Sequence, residues 1–335
     1  MKAPAFWQTS GPLSRLLAPI AALYQYIGRR RLRTTPPYRG KVPVVCVGNI
    51  TLGGTGKTPV TLALVHALQA RGMVVHCLSR GYGGREAGPL RVDLAQHTAA
   101  DVGDEPLLLA QVAPAWISRN RAAGSDAITS AQVAPAADVI VMDDGFQNPT
   151  LHKDFNVLVF DGGAGLGNGK VFPAGPLREI IADAAPRVQQ CILMGEDRYG
   201  LAAKLPPPVL HAQMQPLADA RKFAGQRVVA FCGIGRPDKF LATLQQVGAT
   251  VLAFHKFADH HPYDMTSDIQ PILDEAYALN AIPVTTAKDA VRIPGDQRAQ
   301  VDVVHVGVQW QNQAAFDALV DQIVAVCGRF SSVQA

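Results

Sequence analysis

Val44–Pro59 reads VVCVGNITLGGTGKTP, and its interpretation decides the fold. The apolar run Val44–Val47 is a buried strand by pattern, and a helical pattern follows from Val60 to Ala70. Between them lie Thr51, Gly53, Gly54, Thr55 and Gly56, then Lys57 and Thr58. Strand, glycine-rich loop, Lys-Thr and helix make a phosphate-binding loop. Its backbone N–H groups turn toward an anion, and the helix N-terminus adds partial positive charge. Lys57 is expected to reach the outer phosphates of ATP, and the Thr58 hydroxyl to ligate Mg²⁺. Thr51 stands where the general pattern has its first glycine, but Gly53 and Gly54 leave the loop free to curl.

Downstream, short apolar strands alternate with helices. Ala137–Met142 is a strand running into Asp143-Asp144-Gly145-Phe146-Gln147. A hydrophobic strand ending in Asp is the second element of nucleotide sites, its carboxylate serving Mg²⁺. Alone the match is weak, but its place in one β/α series after a phosphate loop strengthens it. Asp104 and Glu105 fall in or just before the first turn of another helix, where capping is the bland alternative. The series predicts a P-loop NTPase-like, doubly wound α/β sheet with ligands at the carboxyl ends of its strands. Lys57, Asp104, Asp143 and Asp161 are expected to converge on that edge.

The pattern weakens from Val209 to Gln226, and a second, smaller α/β series follows. The expected division is an N-terminal segment 1–35, a kinase domain 36–208, a linker 209–226 and a smaller domain 227–335, whose last helix is free to return to the first. Val301–Val308 reads as one final strand and Asn120–Gln132 as a helix.

Composition sets limits. The 335 residues are 48% apolar and 17% charged, enough for a sizeable core and unlike a disordered chain. A net charge of +4 suits an anionic substrate or membrane surface without requiring nucleic acid, and no nucleic-acid motif is visible. Five dispersed cysteines without a C-x-x-C pair predict buried free thiols in a reducing compartment.

Leu13–Ile27 is apolar, ends near Tyr24 and Tyr26, and is followed by Arg29, Arg30, Arg31 and Arg33. It is too short to span a bilayer, and its basic residues come last, the reverse of a secretory leader. A helix lying in a membrane interface fits, and so does a helix packed on the protein's own core.

Taken in order, TLGGTGKTP, SRGYGG, VGDEP, DDGFQ, PAGPLRE, FCGIGRPDKF, ADHHPY and TTAKDAV resemble the tetraacyldisaccharide 4'-kinase family of Gram-negative bacteria, over the N-terminal helix to about Asp289. The resemblance implies an enzyme at the cytoplasmic face of the inner membrane. Its substrates would be ATP and a tetraacylated glucosamine disaccharide 1-phosphate, phosphorylated at its 4'-hydroxyl for lipid A. It implies a catalytic pair, Asp104 with His260, the neighbouring His261 being the competing assignment. It gives phosphate contacts to the loop from Thr51 to Thr58, metal contacts to Thr58, Asp143 and Asp144, and further active-site roles to Glu105, Gln147 and Arg178. No obligate protein partner is implied.

Other uses of a phosphate loop leave their own marks in sequence. A membrane-positioning ATPase needs an early second lysine, where Leu52 stands. A regulatory GTPase needs a guanine-reading motif, and Thr286-Ala287-Lys288-Asp289 has the wrong spacing. A kinase of a soluble metabolite stays open on the loop's physics alone.

Overall fold

The computed structural model describes residues 4–130 and 132–334; the ends of the expected outer segments, and Ala131 within the expected helix Asn120–Gln132, lie outside them. The first lobe opens with helices α1 (Pro12–Leu16) and α2 (Ala18–Thr34), then runs β1 (Val44–Gly48), α3 (Lys57–Gln69), β2 (Val75–Ser79), β3 (Leu90–Arg91), α4 (Ala99–Val102) and α5 (Asp104–Ala110). It continues with β4 (Ala115–Ile117), α6 (Arg121–Ile128), β5 (Val139–Asp143), β6 (Phe155–Asp161), α7 (Ile181–Ala184), β7 (Gln190–Met194) and β8 (Val209–Pro216). The second lobe holds β9 (Arg227–Cys232), α8 (Pro237–Gln246), β10 (Thr250–Lys256), α9 (Gln270–Ala278), β11 (Ile282–Thr286), α10 (Ala287–Ala290) and β12 (Asp302–Val304). The chain then returns through β13 (Val306–Trp310) and α11 (Gln313–Gln334).

The larger sheet has nine strands in the order β13-β8-β7-β6-β1-β5-β2-β4-β3. Its central pairs are parallel, as buried β/α repeats require, and only its two edges are antiparallel. Strand β1 sits between β5 and β6, so the chain leaves it at the point where strand order reverses, the place where such sheets bind ligands. The period of two is visible in the packing. Val45 and Val47 face one core with Leu64 and Leu68 of α3, and Phe316, Leu319 and Ile323 of α11. Val44 and Cys46 face the opposite core with Ile128, Phe146 and Leu193.

Two features depart from the sequence reading. Val209–Pro216, expected as part of a linker, is strand β8, hydrogen-bonded to β7. Val301–Val308, expected as one strand, is broken at His305: β12 completes the small sheet, order β10-β9-β11-β12, while β13 pairs antiparallel with β8. Both crossings between lobes therefore lie side by side, with Leu217 N–H donating to the His305 carbonyl at 3.0 Å. The last helix returns to the first lobe. Its apolar stripe Phe316, Leu319, Val320 and Ile323 is buried there.

All five cysteines are buried, and none is joined in a disulfide. Burial pushes Cys46 up to about 12, so it is an unreactive core side chain.

Candidate active site

The loop after β1 is closed from outside by the Pro173–Glu179 segment. Thr51 forms an antiparallel bridge with Leu177, Leu52 N–H donates to the Pro176 carbonyl at 2.8 Å, and Arg178 N–H donates to the Ile50 carbonyl at 2.7 Å. Thr51 is therefore extended backbone, which explains why a residue with a side chain serves where other such loops carry glycine. Asn49, missed in the sequence, ties the two sides of the loop together. Its amide donates to the Thr51 carbonyl at 2.9 Å and to the Thr55 hydroxyl at 3.2 Å. Gly56, at φ 89°, makes the left-handed turn into α3 that a side chain would strain.

Lys57 is buried, with Nζ 3.7 Å from Asp144 Oδ2. Arg178 grips the same carboxylate with two hydrogen bonds, 2.7 and 3.0 Å. Gln147 fastens this group, donating to the Asn49 carbonyl at 2.8 Å and to Glu179 at 2.9 Å. Burial alone would raise Asp144, but Lys57 and Arg178 hold it below the usual carboxylate range. Its neighbour behaves oppositely. Register places Asp143 beside Val47 at the end of β1, and one of its oxygens accepts from Thr61 at 2.9 Å. The other oxygen is buried without a partner. Burial, then the charges of Glu105 and Asp144, push Asp143 up to about 7 against the pull of Lys57 and Thr61. An unpartnered buried carboxylate oxygen beside a phosphate loop is the donor a cation needs. Hence Asp143, with the half-buried Thr58 on the first turn of α3, fits Mg²⁺. Both Asp144 oxygens are already engaged by Arg178.

The facing wall of the site comes from two lobes. Gly103, at φ 86°, turns the chain from α4 into α5, and a Cβ there would meet the Tyr82 carbonyl at 2.4 Å. A Cβ on Gly84 would meet the Asp101 carbonyl at 2.5 Å, so glycines on both sides let SRGYGG lie directly on VGDEP. Asp104 opens α5, buried, with Oδ1 accepting from the Glu105 N–H at 3.0 Å. Across the cleft, His260 of the β10–α9 loop places Nδ1 2.9 Å from Asp104 Oδ2. His261 turns away to Asp268 at 2.8 Å and stacks on Phe257, so His260 is the histidine that meets Asp104. Burial works to raise Asp104, but the His260 hydrogen bond and the charges of Lys288 and Arg292 keep it low.

Two further groups at the pair, Lys288 and Arg292, carry no site signal of their own in the sequence. Lys288 Nζ lies 3.6 Å from Glu105 and 3.8 Å from Asp104. Arg292 Nε is also 3.8 Å from Asp104. Asp161, at the end of β6, receives Arg236 at 2.6 Å and Lys239 at 2.8 Å from the second lobe. TTAKDAV and FCGIGRPDKF both enter the resemblance, but spacing alone names no charge partner for Lys288, Arg236 or Lys239.

A phosphate loop at the switch point of a doubly wound sheet, an adjacent strand-end carboxylate, and a buried Asp–His pair reaching across from a second lobe belong to a P-loop phosphotransferase. Known proteins narrow this class. A family model described as tetraacyldisaccharide-1-P 4'-kinase matches residues 13–325. The tetraacyldisaccharide 4'-kinase of Rhodospirillum rubrum is 53% identical, covering 97% of this chain and 98% of its own length. That of Rhodospirillum centenum is 50% identical, covering 97% of each. A crystal structure described as the "apo" form of LpxK from Aquifex aeolicus in complex with ATP superposes with a TM-score of 0.76 at 26% identity, covering 93% of this chain and 99% of that one. The chain belongs to the tetraacyldisaccharide 4'-kinase family.

Proposed function

We propose that this protein moves the γ-phosphoryl of ATP to the 4'-hydroxyl of a tetraacylated glucosamine disaccharide 1-phosphate, working at the cytoplasmic face of an inner membrane. The observation that carries the mechanism is the 2.9 Å contact between Asp104 and His260, made from opposite lobes beside the phosphate loop. The loop backbone and Lys57 hold the β- and γ-phosphates. Asp143 and Thr58 would hold Mg²⁺, which would supply charge neutralisation at those phosphates. A sugar hydroxyl attacks poorly unless its proton leaves with the attack. The Asp104 carboxylate accepts that proton as the sugar oxygen bonds to phosphorus, the bond to the bridging oxygen breaks, and ADP departs with the electron pair. His260 orients Asp104, and because it belongs to the other lobe the pair is complete only when the lobes are closed.

The lipid acceptor accounts for the first helices. Leu16, Ile20, Leu23 and Ile27 form one exposed apolar stripe, 56–74% accessible, and of α2 only Ala21 is buried. Polar contacts hold the other side: Gln25 and Arg29 bind Asp183 at 3.0 and 2.7 Å. Among the described residues no helix is long and apolar enough to cross a membrane. An anchored helix with an apolar outer stripe and arginines at its end supports seating in the interface.

Transfer from γ-labelled ATP tests the reading. Label is expected in the acylated disaccharide phosphate and absent from soluble glucosamine sugars. Equal labelling of the soluble sugars would favour the metabolite-kinase alternative and sink the lipid assignment.

A further inference from the structure

Helix α3 does more than carry Lys57 and Thr58. One turn on stands Thr61, fully buried where α3 packs against β5. Its Oγ1 lies 2.9 Å from Asp143 Oδ1 and 3.1 Å from the Lys57 carbonyl. A hydroxyl has one proton to give. The bland reading gives it to the helix itself, the familiar back-bond of threonine to the residue four earlier. Two observations oppose that. Lys57 opens α3, so its carbonyl already takes the Thr61 N–H in the helix ladder. Asp143, by contrast, has no other side-chain partner among the described residues, its Oδ2 being buried and unpartnered. A proton withheld by Thr61 would leave the whole buried carboxylate without a donor, which costs more than a hydrogen bond returns. The hydroxyl therefore donates to Asp143.

We propose that Thr61 is a positioning residue of the metal site, its hydroxyl holding Asp143 Oδ1 so that Oδ2 alone is left to ligate Mg²⁺. The inference rests on the reading of Asp143 and Thr58 as the groups that would hold the cation, and is independent of which acceptor is phosphorylated. Thr58 and Thr61 are three residues apart in α3, which puts them on one face of the helix. That face meets the carboxyl end of β5, whose last residue is Asp143. One helix thus supplies one candidate ligand and aims the other. Asp144, next in the chain, stands outside this arrangement, because Lys57 and Arg178 engage it. Hydroxyl and carboxylate oxygens suit a hard cation, Mg²⁺ or Mn²⁺. A valine at this position would keep the shape, remove the donor and free the Asp143 carboxylate to turn. Outer hydrogen bonds of this kind set a ligand's orientation, and losing one costs about ten- to a hundredfold in metal affinity.

The test uses the full chain with a non-hydrolysable ATP analogue and Mn²⁺ as the probe, free Mn²⁺ being read by electron paramagnetic resonance. Thr61→Val is expected to raise the Mn²⁺ Kd about ten- to a hundredfold. Thr61→Ser keeps the hydroxyl and should stay close to the parent. Thr61→Val should cost nothing further once Asp143 is Asn, since the two act on one ligand. In turnover, Thr61→Val should need about ten- to a hundredfold more Mg²⁺ for half its maximal rate and recover at saturating Mg²⁺. A fluorescent ATP analogue in EDTA reads the phosphate loop without metal, and both Thr61 variants should bind it as the parent does. Parent Mn²⁺ affinity in Thr61→Val, with affinity lost in Asp143→Asn, overturns the role of Thr61 and keeps the metal site. Parent affinity in Asp143→Asn overturns the metal reading, and the role of Thr61 with it. Loss of the EDTA signal in Thr61→Val would make the hydroxyl a prop of α3 and also overturn the proposal.

Discussion

Asp104 is 4% exposed and still held as a carboxylate, because three cationic or hydrogen-bonding groups outweigh its burial. Its native value lies below the unfolded one, so this stabilisation is present above the ordinary carboxylate range, about 3.9, and fades only as pH falls through the native value. The proposed base is therefore charged throughout the neutral range. Asp104→Asn preserves shape and removes the proton acceptor. We expect kcat to fall about 10²- to 10⁴-fold with KM for ATP nearly unchanged, measured in steady state with detergent-dispersed acceptor. A comparable rate in Asp104→Asn would leave the carboxylate with only its capping role at α5. The residue-scale site was legible where a motif places a group directly after a strand, as with Lys57 and Asp143. The Asp104–His260 pairing came only through resemblance, since 156 residues separate the two and neither has a local signal for the other. Lys288 was unreadable for the same reason: it faces Asp104 and Glu105 across the cleft.

At the scale of elements, the alternation of short apolar strands and helices disclosed the doubly wound core, because fully buried parallel strands are continuous hydrophobic runs. The edge was harder. Strand β8 has a mixed burial pattern, with Gln213 exposed and Gln215 half-buried, and such a pattern looks like linker until β13 is seen to pair with it. Residues 302–310 look like one strand, since nothing local marks His305 as the place where the chain changes sheets. Helix α11 belongs to the core that faces α3, and this gives a stability prediction. Leu319→Ala, at 2% exposure, should destabilise the protein by about 2–5 kcal/mol, read from urea or thermal unfolding. A loss below about 0.5 kcal/mol, the level of an ordinary surface change, would contradict that packing. The contact between β6 and α8 makes a second prediction. Burial works to raise Asp161, but Lys239 and Arg236 hold it low, so this interlobe pairing persists from neutral pH downward and is lost only in acid. Arg236→Ala should weaken lobe closure by about 1 kcal/mol, since the arginine is partly exposed. Small-angle scattering should report a larger radius of gyration for this variant, and an unchanged radius would assign closure to the two crossing strands alone.

For the whole molecule, the proposed lipid acceptor requires the cleft to open near a membrane, and the first helices are the proposed contact. Simple truncation before Pro36 is a poor test, because this segment also supports the site. The Trp7 indole donates to the Pro173 carbonyl at 3.0 Å, and the Ser14 hydroxyl donates to that of Ala174 at 2.8 Å, in the segment that closes the phosphate loop. Tyr24 packs edge-on against Phe172, which leads into that segment, 5.7 Å between centroids. Removing residues 4–35 would disturb catalysis and membrane contact together. Charge placed on the outer stripe separates them. Leu23 and Ile27 are 58% and 56% exposed, so Leu23→Asp with Ile27→Asp spares the core. Each buried side chain of this size is worth roughly 1.5–3 kcal/mol when it leaves water. The double variant should therefore lose vesicle flotation by well over tenfold while keeping its kcat on detergent-dispersed acceptor. Arg30→Gln with Arg31→Gln, beyond the stripe, should weaken flotation only on vesicles containing anionic lipid, and less so at high salt. Undiminished flotation of the Asp variant would move the membrane contact to another face, and loss of activity on dispersed acceptor would show that the stripe holds the acyl chains themselves.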